Sequence, residues 1–151
     1  MLVRSIEQLK KVSIRLAEKL RPNDTIFLEG EIGSGKTTLC RYLINHLQKK
    51  NKLPITNVPS PTFNIVYEYF LKNTKVMHYD LYRINNVNEL KNLDLPNDNK
   101  KEIKIIEWPN LLKKKFNNKI EIKIKFGKKT TERVVNIKGH GKLKEFNINE
   151  I

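Results

Sequence analysis

TIFLEGEIGSGKTT, residues 25–38, runs a short apolar segment into a loop holding three of the chain's six glycines, then a lysine and two threonines. Thr25–Glu29 follows the turn signal Pro22-Asn23-Asp24 and suits a buried strand. Beyond the loop, Leu39, Leu43 and Leu47 recur at helical spacing, predicting a helix that runs to about Lys50. A polyphosphate must be wrapped by successive backbone N–H groups, and side chains would block that approach. Gly30, Gly33 and Gly35 permit the conformations and the clearance. Gly30-x-x-x-x-Gly35-Lys36-Thr37 matches the P-loop pattern in full, which average composition would produce in roughly half a per cent of chains this long. The rival reading is a flexible turn that happens to precede a helix. A strand before the loop and a helix after it weigh against that.

The expected ligands are therefore a nucleotide polyphosphate and Mg²⁺. The loop backbone from Gly30 through Ser34 to Gly35 forms the cradle, and the helix N-terminus adds unpaired donors. Lys36 is expected on the β- and γ-phosphates, Thr37 offers a hydroxyl to the metal, and Thr38 lies where it could bond the α-phosphate. Mg²⁺ keeps most of its waters, so one further carboxylate suffices. Glu107 ends the apolar run IKIIE and is the candidate metal ligand; Asp80 ends KVMHYD in the same manner and is the candidate catalytic acid. Either could instead be a surface acid or a helix cap. His78 alone reads as a packed strand residue, and Trp108 as a core anchor or a pocket wall.

Outside these segments, Ser5 and Gln8 form a capping-box pattern. Ile6, Leu9, Val12, Leu16 and Leu20 then mark the apolar face of a first helix. Asn57–Phe63 (NVPSPTF) holds two prolines and reads as an extended loop leading into a strand at NIVYEYF. A short helix is predicted over Val87–Leu93, a solvated loop at NDNKK, a strand at Ile103–Trp108 and a helix from Pro109 to Phe116. KIEIKIKF alternates strictly, with Ile120, Ile122, Ile124 and Phe126 on one face, and predicts a half-exposed antiparallel strand. A turn at Gly127-Lys128-Lys129 and RVVNIK complete a hairpin. The fold class expected is α/β: a P-loop NTPase-like mixed sheet flanked by helices, with a C-terminal antiparallel hairpin.

At 151 residues and 38% apolar composition, the chain has the size and core for one domain, taken here as residues 1–151. Its apolar runs are far shorter than a membrane span, no signal-type stretch follows Met1, and the single Cys40 cannot form an internal disulfide. A cytoplasmic protein without membrane attachment is expected, with Cys40 an ordinary buried thiol. The formal charge of +14 invites a nucleic-acid reading. Yet there are 24 lysines to only 6 arginines, and Lys, Asn and Ile, all with AT-rich codons, fill 59 positions. Specific phosphate and base recognition leans on arginine, so base composition is preferred over a dedicated nucleic-acid face.

GEIGSGKTT, SPTF (Ser60–Phe63), HYDLYR (His78–Arg83) and IEWP (Ile106–Pro109) occur in that order at suitable distances. Together they resemble the TsaE family, bacterial P-loop ATPases of tRNA threonylcarbamoyladenosine biosynthesis, over nearly the whole chain. The resemblance implies an ATPase acting with the TsaD and TsaB proteins, supporting repeated turnover of that transferase assembly, with tRNA contacted indirectly. It implies Thr37 and Glu107 as magnesium ligands and Asp80 as an active-site acid. Thr62 would sit in a switch-like loop near the γ-phosphate, Trp108 would shape the pocket, and Arg133 would approach the nucleotide. Two departures stand out: Asp94 replaces the family's usual glycine in Leu93-Asp94-Leu95, and Asn97–Lys104 is unusually polar before a core strand.

Rival classes fit less well. A small-molecule kinase would want arginines converging on the phosphoryl group, and only Arg83 lies in a site-like motif. A GTPase would carry an Asn-Lys-x-Asp guanine reader, and the nearest stretch is NKKE, ending at Glu102. A transport ATPase would need a much longer chain. A basic RNA-binding module is favoured by charge alone, and its binding would weaken steeply with salt and ignore nucleotide.

Overall fold

The structure, a computed structural model, describes residues 1–97 and 101–146. Two central strands, β2 (Thr25–Glu29) and β5 (Ile103–Glu107), pair in parallel with Phe27 opposite Ile106. Apart from the buried Lys104 of β5 and the polar residues at the strand ends, both are apolar on both faces, as suits strands covered on two sides. Successive residues point to opposite faces. Ile26, Leu28 and Ile105 therefore join one core with the helices α1 (Ile6–Lys19) and α2 (Lys36–Lys50), whose Leu9, Val12, Leu16, Leu39, Leu43 and Leu47 are buried there. Phe27 and Ile106 face the other way, into a second core with Tyr79, Leu90, Leu112 and Phe116.

The remaining strands extend this centre. β4 (Lys75–Asp80) pairs parallel to β5, and β3 (Val66–Phe70) covers its far edge antiparallel. On the other side β6 (Lys119–Phe126) runs parallel to β2 and antiparallel to β7 (Arg133–His140). The two-residue strand β1 (Leu2–Val3) closes that edge. Among the described residues the sheet order is β1-β7-β6-β2-β5-β4-β3. The hairpin is thus the outer third of the main sheet, and β6 is antiparallel on one side only. α3 (Val87–Asn92) is capped by the Asn86 side chain, which accepts from the Glu89 N–H.

Local signals mostly hold. Ser5 caps α1 by accepting from the Gln8 N–H, while the Gln8 side chain accepts from the Arg4 N–H at 2.7 Å and not from Ser5. Ile6, expected on the core face, is exposed because the cap turns the first residue outward. Phe126 is likewise exposed, at the strand end, under the Arg133 guanidinium at 4.5 Å. The helix expected over Pro109–Phe116 is a 3₁₀ turn, Asn110–Leu112, carried on by i→i+3 bonds from Leu112 to Pro109 and Lys115 to Leu112. The tighter coil still buries Leu112 and Phe116. The strand read at Asn64 begins at Val66, after a turn in which Ile65 takes a positive φ. Of the NDNKK loop, positions 98–100 lie outside the described residues.

Phe27 is fully buried and packs edge-on against Phe116 with ring centroids 5.5 Å apart. Phe27→Ala is expected to lower stability by about 3–5 kcal/mol, the usual range for truncating a buried aromatic. Urea unfolding checks this: the midpoint should fall with the slope unchanged.

Candidate functional site

Three parallel strands end at the same edge of the sheet. Registers pair Leu28 with Glu107 and Asp80 with Glu107, so the loop leaving β2 and the two acids occupy one row. Ligands of open α/β sheets lie outside such carboxyl ends. The loop itself needs glycine twice over. Gly35 precedes α2 at φ +110, and Gly30, at φ +154, passes so close to β6 that a Cβ would lie 2.4 Å from the Ile124 carbonyl oxygen. Alanine at either position forces strain or collision.

Lys36 opens α2 and is nearly buried; its ammonium donates to the carbonyls of Gly30 at 2.7 Å and Glu31 at 2.9 Å. The ammonium also lies 4.3 Å from the Trp108 ring centroid. Burial pushes the Lys36 ammonium below its ordinary pKa, with Glu107 and then Asp80 opposing that shift. Trp108 adopts φ +57, turning the chain sharply out of β5, and its ring stacks at a tilt on Tyr82 with centroids 5.0 Å apart.

The Glu107 carboxylate is buried and collects three donors. The Thr37 hydroxyl donates to Oε1 at 3.1 Å, His78 Nε2 lies 2.9 Å from the same oxygen, and the Cys40 thiol lies 3.9 Å away. A carboxylate only accepts, so the proton of His78 sits on Nε2. Burial raises the Cys40 thiol well above its ordinary pKa, and the Glu107 carboxylate adds to that. Asp80, also buried, accepts from Thr62 Oγ1 at 2.9 Å and Ser60 Oγ at 3.3 Å through Oδ2, and from the Tyr82 N–H through Oδ1. The Ser60–Phe63 loop is therefore seated on Asp80 in the chain alone, with Phe63 left exposed.

Pairwise contacts join Lys36 to Gly30 and Trp108, Thr37 to Glu107, and Thr62 to Asp80, and the register sets Asp80 beside Glu107 at the same sheet edge. The cavity next to the loop is lined by Gly30 and Trp108 together with Lys123 and Lys125. Gly33, Ser34 and Thr38 lie on the loop's other flank beside Ser5, Ile6 and Leu9. Arg133 meets the loop from outside: its Nε donates to the Ser34 carbonyl at 2.9 Å, and Nη2 reaches toward that of Gly33 at 3.4 Å. Sequence reasoning read His78 as a packed strand residue and Cys40 as an ordinary buried thiol, and gave Ser60 no role of its own. The signal for His78 was available: it stands two residues before Asp80 and so shares its strand face.

Strand, glycine loop and helix in this order, inside a mixed sheet flanked by helices, place the chain in the P-loop NTPase-like class of α/β folds. A solved structure bears the same architecture: YdiB of Bacillus subtilis superposes with TM-score 0.76 at 23% identity, covering 99% of this chain and 90% of that one. The family model described as threonylcarbamoyl adenosine biosynthesis protein TsaE matches residues 3–135, and the chain belongs to that family. Among relatives named tRNA threonylcarbamoyladenosine biosynthesis protein TsaE, that of Rickettsia felis is 38% identical over 107 residues, 71% of this chain and 60% of its own length. That of Rickettsia conorii is 37% identical over 109 residues, 72% of this chain and again 60% of its own. The matched segment thus spans less than two thirds of these relatives. No helix among the described residues is long and apolar enough to cross a membrane.

Proposed function

We propose that the chain, acting as one domain in the cytoplasm, binds and hydrolyses magnesium–ATP and so supports turnover of a TsaD–TsaB transferase assembly in tRNA modification, without itself contacting tRNA. The observation that carries this reading is the Thr37 hydroxyl 3.1 Å from the Glu107 carboxylate, at the foot of a loop that holds the Lys36 ammonium. The residues fit the ligand. Gly30, Gly33 and Gly35 all take positive φ, the backbone freedom that a loop presenting successive N–H groups to a phosphate needs, and Thr37 with Glu107 is an all-oxygen donor pair suited to a hard cation. Bound magnesium would supply charge neutralisation at the β- and γ-phosphates.

The chain's own residues do the rest. Lys36 exchanges its carbonyl partners for phosphate oxygens, and Thr38 at the helix N-terminus takes the α-phosphate side. Trp108, held by Tyr82, walls the cleft and excludes water beside Lys36. Asp80 holds Thr62 and Ser60, so the loop that faces the γ-phosphate is positioned through the acid that orients the attacking water. Arg133 fixes the carbonyl side of the phosphate loop.

Lys36→Ala tests the reading at its root. Hydrogen bonds to charged groups contribute about 1.5–3 kcal/mol each, so magnesium–ATP affinity should fall about 10- to 100-fold by calorimetry. Magnesium–ADP should bind the native chain as well, and guanine nucleotides more weakly. Equal ATP affinity in native and variant protein would overturn the assignment.

A further inference from the structure

We propose that Cys40, His78 and Glu107 together form a binding site for a borderline-soft divalent cation such as zinc(II), distinct in chemistry from the magnesium position. The three come from α2, β4 and β5, are all buried, and offer ligand atoms lying within 4.8 Å of one another. His78 Nε2 and Cys40 Sγ stand 2.9 Å and 3.9 Å from the one oxygen, Glu107 Oε1. Tetrahedral zinc with bonds of about 2.0–2.3 Å sets its nitrogen, oxygen and sulfur ligands roughly 3.3–3.6 Å apart. The two edges from Glu107 Oε1 need the histidine to retreat and the thiol to approach by a few tenths of an ångström each, and the His78–Cys40 edge, bounded at 4.8 Å, has to close by up to about 1.2 Å.

The donor set selects the metal. Magnesium takes hard oxygens and has no use for sulfur or a neutral imidazole. Thiolate with imidazole suits zinc and its neighbours. The Thr37 hydroxyl, 3.1 Å from the same Glu107 oxygen, marks the side on which a fourth ligand, a hydroxyl or water, completes the shell. As the sulfur–metal bond forms, the Cys40 proton leaves to solvent and His78 gives up its Nε2 proton to Nδ1. That nitrogen is buried and has no hydrogen-bond partner among the described residues. It therefore lacks the outer-shell partner that usually strengthens a ligating histidine, and the site is weaker than a structural zinc centre. Without the ion, the neutral thiol packs as an ordinary small apolar group, consistent with burial holding it protonated. Glu107 cannot serve both cations at once. Exclusion of magnesium by zinc follows only if Glu107 holds magnesium as proposed above, whereas binding of the soft ion does not depend on that reading.

Cobalt(II), a spectroscopic substitute for zinc, is titrated into the full chain without nucleotide. The chain has one cysteine, so any thiolate-to-cobalt charge-transfer band reports Cys40. A band saturating at one equivalent, accompanied by tetrahedral visible bands and bleached by zinc(II), is the expected result. Cys40→Ser should lose the band and bind cobalt at least about tenfold more weakly, the smallest loss typical of even an outer-shell partner. Cobalt binding without the sulfur band, no binding at stoichiometric concentration, or a band surviving in Cys40→Ser would each overturn the proposal. The native spectrum decides the matter even if the serine variant fails to fold.

Discussion

Adding the TsaD–TsaB pair is expected to raise steady-state ATP turnover by roughly a thousandfold or more over the isolated chain. The reason lies in what the cleft contains. Phosphoryl transfer needs positive charge where negative charge accumulates on the γ-phosphate, and arginine is the usual supplier. Among the described residues the arginines nearest the site are committed elsewhere. Arg133 is bonded to the outer carbonyls of the loop, Arg41 donates to the Val58 carbonyl at 3.2 Å, and Arg83 lies over the Phe63 ring at 5.8 Å. Lys36 is held on the loop carbonyls, and Lys123 and Lys125 line the cavity beside Gly30 and Trp108. Ile32 of the glycine loop, Phe63 of the Ser60–Phe63 loop and Tyr82, which packs on Trp108, are exposed, Phe63 to 85%, apolar surface suited to a protein partner. A docked partner can supply the missing cation, or hold Arg83 and the Ser60–Phe63 loop in place. Rapid hydrolysis by the chain alone, unchanged by the pair, would show a self-sufficient hydrolase and refute this account.

Asp80→Asn is expected to lower kcat for hydrolysis about 10²-fold or more while leaving ATP affinity within a few-fold. A positioned acid or base typically contributes 10²–10⁴ to rate. The substitution keeps the shape: an Asn oxygen can still accept from the Tyr82 N–H, and its amide can donate to the hydroxyls of Ser60 and Thr62. What is lost is the charge and the basic oxygen. Glu107→Gln should behave differently, weakening magnesium-dependent binding first, because that carboxylate meets Thr37. Single-turnover kinetics together with equilibrium binding separate the two. Unchanged turnover in Asp80→Asn would leave Asp80 as a structural anchor for the loop.

Much of the centre of this protein is written locally. TIFLE and IKIIE declare buried strands because nothing but a two-sided core would accept them, and the cap at Ser5 and the leucines of α2 are helix signals within a few turns of chain. Residues 109–116 misled because Leu112 and Phe116 satisfy the spacing of an α-helix, yet the same two side chains are buried by a tighter coil. β1 could not be read at all: two residues carry no period, and Leu2 finds Val134 only through the closed sheet. The hairpin strand β6 announced its alternation but not its parallel partner, since pairing of Phe27 with Glu121 is a fact about distance along the chain. In the site, the glycine loop was legible as a motif. The convergence of His78 and Cys40 on Glu107 was not, because it depends on the order of strands and not on spacing within any of them.

The brace that Arg133 places on Ser34, and the parallel pairing of β2 with both β5 and β6, have a consequence for how the chain is made. Synthesis delivers the phosphate loop before either neighbour of its strand exists. As the chain emerges, β2 has two bare edges, and α1 and α2 can fold against only one of its faces. Elements generally fold as their units leave the ribosome, but here the unit is not complete until Arg133 and the hairpin have emerged. Contacts of such long sequence separation form slowly. A loop made in the first quarter of the chain is therefore among the last parts to become competent, and nascent chains lacking the final hairpin are expected to hold the glycine loop without holding nucleotide.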